Sequence, residues 1–283
     1  MTYEEFWRPL TALYDRREAL AVARLVMEEC CRMTFADMLC GRPGDDAMLR
    51  PLQQRLLEGE PVQYIIGVAE FGNLRLHVEP GVLIPRPETL ELCRLAQEDY
   101  RRWQTGRSKP AASGEYAVLD IGTGSGCIAC TLALTMTEAR VTAWDIAETA
   151  LRIARQNAER LGARIAIERR DALRPPADHR RWHLVVSNPP YICQSELTAM
   201  EARVTEHEPH TALFVPDADP LLFYRHIGRY AATALRPGGS LMVETNERYA
   251  TAVKRLFTDL GLSGATVHSD QYGKERFVTA RTA

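Results

Sequence analysis

Val118-Leu119-Asp120-Ile121-Gly122-Thr123-Gly124-Ser125-Gly126 decides the fold. An apolar run ends in a glycine-rich turn, and the turn opens onto a helix predicted over Gly126–Met136. Glycines at alternate positions let the backbone approach a ligand closely, and a helix start offers N–H groups that lack partners. Alone, such a turn fits NAD, flavin or S-adenosylmethionine proteins equally, and a tight turn can also bind nothing.

Downstream of the turn, strands and helices alternate. Strands are predicted at Tyr116–Ile121, Arg140–Asp145, Ile165–Arg169, Leu184–Ser187, Ser240–Thr245, Thr266–Ser269 and Arg276–Ala280. Helices are predicted at Ala147–Leu161, Pro220–Leu235 and Arg248–Leu260. This order predicts a mostly parallel sheet covered by helices on both faces. Val141-Thr142-Ala143-Trp144-Asp145 places an acid at a strand end, 19 residues after Gly126. In a strand–helix–strand unit Asp145 lies beside the glycine turn, where a carboxylate accepts from both hydroxyls of a ribose. It can also cap the helix from Ala147. Asp171 follows the next strand; it can bond an adenine amino group with Ala172 against the ring, or it can be a solvated loop carboxylate.

Leu184-Val185-Val186-Ser187-Asn188-Pro189-Pro190-Tyr191 carries the strongest chemical signal. Asn188 brings a neutral amide oxygen. Pro189 lacks an N–H but keeps its carbonyl, a second acceptor. Pro190 stiffens the turn, and Tyr191 offers a flat face. Two acceptors and a ring suit a planar –NH2 group: the acceptors take its hydrogens and the ring stacks on it. Tyr191–Asp217, which follows, is long for a loop, and long loops in compact domains are often functional.

Upstream, residues 1 to about 60 read as short helices. Thr2 and Glu5 form a capping box, and Phe6, Leu10, Leu13 and Tyr14 share one helical face. Further helices are expected near Arg17–Arg32, after the cap pair Thr34–Asp37, and near Asp45–Glu58. Tyr64–Gly67, Glu70–Phe71 and Leu74–Val78 read as β-like pieces of a hairpin. Pro85 and Pro87 impose an extended segment before a helix near Glu88–Trp103. Gly106–Gly114 reads as a loop.

The chain has 283 residues and a net charge of −2, with 46% hydrophobic and 25% charged residues. That length suits one large domain or a medium one with a small one. The charge argues against a duplex DNA binder. The apolar runs fall short of the roughly 18 residues of a membrane span, and MTYEEFWRPL has no apolar signal core. Seven cysteines, an odd number in a chain of this size, argue against a disulfide framework and for a cytoplasmic setting. Cys127 and Cys130 lack a second pair at zinc spacing. His207 and His210 flank Glu208-Pro209 without a third ligand, so no metal site is expected. Arg169, Arg170, Arg180 and Arg181 read as solvated surface or as a contact to RNA or another partner.

Taken together, these segments make the sequence similar to the HemK/PrmC family, protein-glutamine N5-methyltransferases that modify class-1 peptide chain release factors. The resemblance covers nearly the whole chain. It rests on Pro61-Val62-Gln63-Tyr64-Ile65 with Gly67 and Phe71, Leu83-Ile84-Pro85-Arg86-Pro87-Glu88-Thr89, the Asp120–Gly126 turn and Asn188-Pro189-Pro190-Tyr191-Ile192. Glu208-Pro209, Ala212-Leu213, Pro237-Gly238-Gly239 and Glu244 complete it. The Asn-Pro-Pro-Tyr motif is shared with adenine-N6 and guanine-N2 nucleic-acid methyltransferases, which leaves that function as the alternative; the Ile84–Thr89 and Glu208–Leu213 segments are more specific.

The resemblance implies a class I S-adenosylmethionine-dependent α/β fold, a Rossmann-like, mostly parallel seven-stranded sheet with a small amino-terminal helical domain. The expected division is a helical recognition domain over 1–62, a hairpin and linker over 63–87 and a catalytic domain over 88–283. Gly122, Thr123, Gly124, Ser125, Gly126, Asp145, Ala172 and Asn188 are then expected at S-adenosyl-L-methionine, with Asp171 added from its place in the crevice. Asn188, Pro189, Pro190 and Tyr191 are expected at the substrate glutamine, and S-adenosyl-L-homocysteine is the by-product. The expected partner is a release factor, met by a cytoplasmic monomer that needs no membrane and forms no stable nucleic-acid complex. Two departures, the small Ala172 and the pair Thr245-Asn246, are expected to loosen adenine packing.

Overall fold

The computed structural model describes residues 1–106 and 115–283. The loop expected at Gly106–Gly114 therefore lies, from residue 107 on, outside the described residues. The chain falls into two compact units. One comprises Met1–Ala69, Val78–Pro80 and Met200–Glu208; the other comprises Glu70–His77, Gly81–Ala199 and Pro209–Ala283.

The first unit is helical: α1 (Tyr3–Leu10), α2 (Arg16–Cys31), α3 (Phe35–Leu39), α4 (Asp46–Leu57) and α5 (Val62–Ile66). Capping boxes at Thr2–Glu5 and Thr34–Asp37 start α1 and α3. Phe6, Leu10, Val26, Met27, Leu49 and Leu56 form its core. Leu13 departs from the expected stripe: α1 ends at Leu10, and Leu13 turns out to solvent while Tyr14 stays buried. The β-like reading of Tyr64–Gly67 is also corrected. These residues are the end of α5, with Tyr64 and Ile65 buried and Gly67 closing the helix at φ 71°. Burial overrides the β preference of Tyr and Ile here, and the left-handed stop needs glycine. Residues 200–208 join this unit through Arg203, which bonds Glu18 at 2.6 Å and lies 5.1 Å from the centre of the Tyr14 ring. No local pattern announces that grouping.

A hairpin follows, β1 (Val68–Phe71) and β2 (Leu74–His77), then α6 (Thr89–Thr105). The rest alternates: β3 (Tyr116–Ile121), α7 (Cys127–Thr135), β4 (Ala139–Asp145), α8 (Glu148–Leu161), β5 (Ile165–Arg169) and β6 (Trp182–Ser187). The expected loop after Tyr191 instead contains β7 (Ile192–Cys193), a 3-10 turn, α9 (Ala202–Thr205), α10 (His210–Leu213) and β8 (Phe214–Val215). Then come α11 (Leu222–Ala234), β9 (Leu235–Glu244), α12 (Ala250–Asp259), β10 (Ser263–Ser269) and β11 (Glu275–Arg281).

Seven strands form one sheet in the order β10-β11-β9-β6-β3-β4-β5. It is parallel except for β11, which runs antiparallel to both neighbours. Every residue of β3 is buried, as befits a central strand covered on both faces. Its side chains alternate between two cores. Leu119 and Ile121 pack with Tyr224, Ile227 and Phe257 on one face, while Tyr116 and Val118 pack with Leu92, Ile128 and Leu132 on the other. From β3 the chain moves outward through β4 to β5, then returns to place β6 on the other side of β3. That reversal opens a crevice beyond the strand ends, the usual ligand position in such sheets. Among the described residues no helix is long and apolar enough to cross a membrane.

Candidate active site

The turn after β3 and the Asn-Pro-Pro-Tyr segment after β6 leave neighbouring parallel strands at the same level. Ile121 stands opposite Ser187 in register, and the Ser187 hydroxyl donates to the Ile121 carbonyl at 2.7 Å. Both segments border a cavity of about 420 Å³ within the second unit. Its lining includes Gly122, Gly124, Asp145, Asp171, Ala172, Asn188 and Pro190.

The glycines of the turn have different jobs. Gly122 and Gly124 have φ of 74° and 55°, and a Cβ on either would stand in open space. Gly126, at φ 83°, faces away: a Cβ there would lie 3.3 Å from the Ala154 Cα of α8. Thr123 and Ser125 are buried and do not line the cavity. Thr123 Oγ1 instead donates to Asp120 Oδ2 at 2.7 Å. Burial pushes the Asp120 carboxyl up to about 7, with the nearby Asp145 charge acting in the same direction. Asn157 of α8 closes the back of the turn; its amide donates to the Ser125 and His77 carbonyls, both at 2.9 Å.

Asp145 joins the turn rather than only the helix. Its Oδ2 accepts from the Gly124 N–H at 2.9 Å and its Oδ1 from Ala147 N–H at 3.0 Å. The residue at the start of α8 is Ala147, without a side-chain cap. Each carboxylate oxygen keeps a lone pair for a further donor. Asp171 holds a local turn by accepting from Leu173 N–H at 2.8 Å, and its side chain borders the cavity beside Ala172. Much of the remaining wall is apolar: Leu83, from the Leu83–Thr89 segment, and Ile146, Phe214 and Phe223, which no sequence motif singled out; Arg170 and Thr211 line it too. Ile146, directly after the strand-end acid, is 54% exposed. Open glycines, two carboxylates and apolar side chains suit a nucleoside: hydroxyls and an amine to the acids, a flat base to the apolar wall. Thr245 and Asn246 are outside the cavity lining; Asn246 caps the turn after β9 by accepting from Arg248 N–H at 3.0 Å.

At the other end, Asn188 and Pro190 line the cavity and are half-buried, while buried Pro189 and half-buried Tyr191 are not among its lining residues. Asn188 Nδ2 donates to Thr89 Oγ1 at 3.1 Å, and Thr89 Oγ1 donates to Glu244 Oε2 at 2.6 Å. The Tyr191 hydroxyl donates to the other oxygen, Glu244 Oε1, at 3.2 Å. Burial raises the Glu244 carboxyl above its ordinary range, opposed by the hydrogen bonds from Thr89 and Tyr191 and by the Arg276 charge. Thr89 and Glu244 were visible in the sequence as parts of longer segments, but nothing local marked them as partners of Asn188.

The expected basic surface is mostly paired. Arg169 meets Glu148, Arg170 meets Glu168, and Arg181 meets Asp178 while lying 4.3 Å over the Trp182 ring. Among the described residues no three His, Cys, Asp or Glu side chains are grouped to hold a metal ion.

The methyltransferase small domain family matches residues 109–208. The release factor glutamine methyltransferase of Bacteroides thetaiotaomicron is 41% identical over 280 residues, covering 96% of this chain and 95% of its own. That of Flavobacterium psychrophilum is 32% identical, covering 97% and 95%. Among solved structures, the hMettl16 catalytic domain in complex with MAT2A 3'UTR hairpin 6 matches with a TM-score of 0.55 at 17% identity, covering 74% of this chain and 75% of that one. At that identity the likeness speaks for the fold, which is the class I S-adenosylmethionine-dependent methyltransferase fold read from the sheet order. With relatives this similar along nearly its whole length, the chain belongs to the release factor glutamine methyltransferase family.

Proposed function

We propose that this chain transfers a methyl group from S-adenosyl-L-methionine to the side-chain amide nitrogen of the glutamine in the Gly-Gly-Gln motif of class-1 peptide chain release factors. One observation carries the reading beyond family membership. Asn188 presents its amide at a cavity whose other end has open glycines and Asp145, so an amide and a nucleoside can meet there.

When bound, the cofactor supplies a methyl group on a sulfonium, electrophilic without a metal. Gly122 and Gly124 leave room for it, and Asp145 accepts from its ribose hydroxyls. Asp171 accepts from the adenine amine, and Ile146 and Ala172 cover the ring. The Asn188 amide oxygen and the Pro189 carbonyl take the two hydrogens of the glutamine –NH2. Both acceptors draw electron density onto a nitrogen that is otherwise a poor nucleophile. The Tyr191 ring holds the amide plane, so orientation and fixed dipoles do most of the work. No strong general base is required, since the proton leaves after the new bond forms.

Residues 1–62 take the role of recognising the release factor. A glutamine side chain offers far less than the roughly 1,200–2,000 Å² of a specific protein interface. The helical unit carries exposed apolar side chains, among them Phe35, Leu39 and Met48. The enzyme acts in the cytoplasm as a monomer.

The test offers labelled S-adenosylmethionine with release factor, DNA and ribosomal RNA side by side. Label on the release factor alone is expected. Label on nucleic acid alone would favour an adenine or guanine amine as the acceptor.

A further inference from the structure

The bonds behind the Asn-Pro-Pro-Tyr segment run in one direction only, and that direction decides which face of Asn188 meets the substrate. Thr89 and Glu244 are each 1% exposed, so bulk water offers them no alternative partners. A hydroxyl has one proton to give. The 2.6 Å bond to Glu244 takes it, because the ionised carboxylate, favoured against its burial by the bonds from Thr89 and Tyr191 and by the Arg276 charge, only accepts. Thr89 Oγ1 is then left to Asn188 as an acceptor. Asn188 must offer its NH2 to that oxygen, as the 3.1 Å contact has it, and its carbonyl oxygen must point the other way. With the amide turned over, two oxygen lone pairs would meet at Thr89, and an NH2 would face the substrate's own NH2. An amide's orientation is set by its hydrogen-bond network, and here the network ends on a buried carboxylate 155 residues away from Thr89 in sequence.

The same carboxylate accepts from the Tyr191 hydroxyl through its second oxygen. Asn188 and Tyr191, the two ends of the motif, are thus held from one point. Strand pairing puts that point in place: Ser187 stands opposite Val243, so Asn188 and Glu244 leave adjacent strands together. The Tyr224 hydroxyl, at 3.1 Å from the Glu244 carbonyl, fixes the backbone there.

We propose that Thr89 and Glu244 are positioning residues, which lock the Asn188 amide with its oxygen toward the substrate nitrogen and hold the Tyr191 ring by its hydroxyl. The inference rests on the glutamine methyl-transfer reading given above. Neither residue lines the cavity; both act through Asn188 and Tyr191.

The experiment compares wild type, Thr89→Val, Thr89→Ser and Asn188→Ala, with the double variant Thr89→Val/Asn188→Ala, on intact release factor. Steady-state kinetics, calorimetric S-adenosylmethionine affinity and thermal unfolding are measured on each. Valine keeps the shape of threonine without the hydroxyl. Its kcat should fall about tenfold to a hundredfold, the scale of a misplaced reacting group. KM for release factor and cofactor affinity should stay within about threefold, since only the transition state loses an interaction. Serine restores the hydroxyl and should bring kcat back to within about threefold of wild type. In the Asn188→Ala background, valine at 89 should cost nothing further, because partners in one network are not additive. Wild-type kcat in Thr89→Val, a serine variant as slow as the valine one, or additive losses in the double variant would each overturn the proposal. Should Thr89→Val not fold, Glu244→Gln replaces it in the same scheme. A glutamine there can donate to Thr89 and let Asn188 turn over, so a kcat like wild type's would be equally fatal. A wild type that transfers no methyl to release factor would overturn the underlying reading, and this inference with it.

Discussion

The two ends of the cavity are built in different ways. At the proposed nucleoside end a short turn with open glycines is tied to Asp145, which accepts from Gly124 and Ala147 N–H, and Asp171 and apolar side chains complete the lining. At the proposed amide end Asn188 and Pro190 line the cavity, and side chains behind them are held from afar: Asn188 on Thr89, Thr89 on Glu244, and Tyr191 back on Glu244. A backbone site follows from a short stretch of chain and should fail locally. A side-chain site depends on distant partners and should fail cooperatively.

The largest break should come at the amide end. In the proposed reaction Asn188→Ala would remove a fixed acceptor at the reacting nitrogen, and such groups are worth about 2–4 kcal/mol in the transition state. Turnover should therefore fall far more than S-adenosylmethionine affinity does. Kinetics at saturating cofactor, set beside calorimetry, separate the two.

Asp145→Ala should show the opposite division. Loss of charged hydrogen bonds to a ribose should weaken cofactor binding by about 1–3 kcal/mol, with kcat at saturation changed less. An unchanged dissociation constant in a folded variant would remove Asp145 from the nucleoside end.

Within the turn, Gly126→Ala and Gly124→Ala should part company. Both force a side chain into left-handed backbone, at about 1–2 kcal/mol. Gly126→Ala also presses on Ala154, so it should lower the unfolding midpoint further. At Gly124 a Cβ meets no protein atom, so the added loss should appear in cofactor affinity. Equal effects on both measurements would mean that the two glycines face the same way.

Tyr191→Phe should cost about 1 kcal/mol in kcat/KM through the lost bond to Glu244, less than Tyr191→Ala, which also loses the ring. A phenylalanine variant equal to wild type would show that the hydroxyl does not hold the ring.

The smallest effect concerns pH. Burial raises the Asp120 carboxyl to about 7 in the folded chain, above the ordinary carboxylate range of the unfolded one. The folded state then holds a proton that the unfolded state releases. Stability from this group is complete below the ordinary range and is lost as pH rises toward about 7. Asp120→Asn should flatten that part of the unfolding midpoint against pH; an unchanged slope would assign the dependence to other groups.

These two ends also differ in how far the sequence reveals them. β3 is legible to the residue, because an apolar run and a glycine turn are local signals. Asp145 was placed beside the turn by the strand–helix–strand rule, and the Gly124 N–H bonds it there. Gly126, Thr123 and Ser125 show the limit of the motif: the spacing says that the turn is tight but not which residues face the ligand. The helical end of α5 was hidden because Tyr64, Ile65 and Ile66 favour strands as readily as a buried helix. The Asn188 partners were hidden for a geometric reason. Thr89 lies 99 residues before Asn188, and only the pairing of β6 with β9 and the start of α6 bring the group together.

The central claim is that the chain methylates a glutamine side chain. The most direct measurement is tandem mass spectrometry of an intact release factor after incubation with the purified protein and S-adenosylmethionine. The account predicts one added methyl, assigned by fragment ions to the side-chain nitrogen of the glutamine in Gly-Gly-Gln and absent with Asn188→Ala. A methyl found on any other residue of the factor, or the same yield from Asn188→Ala as from wild type, would contradict it.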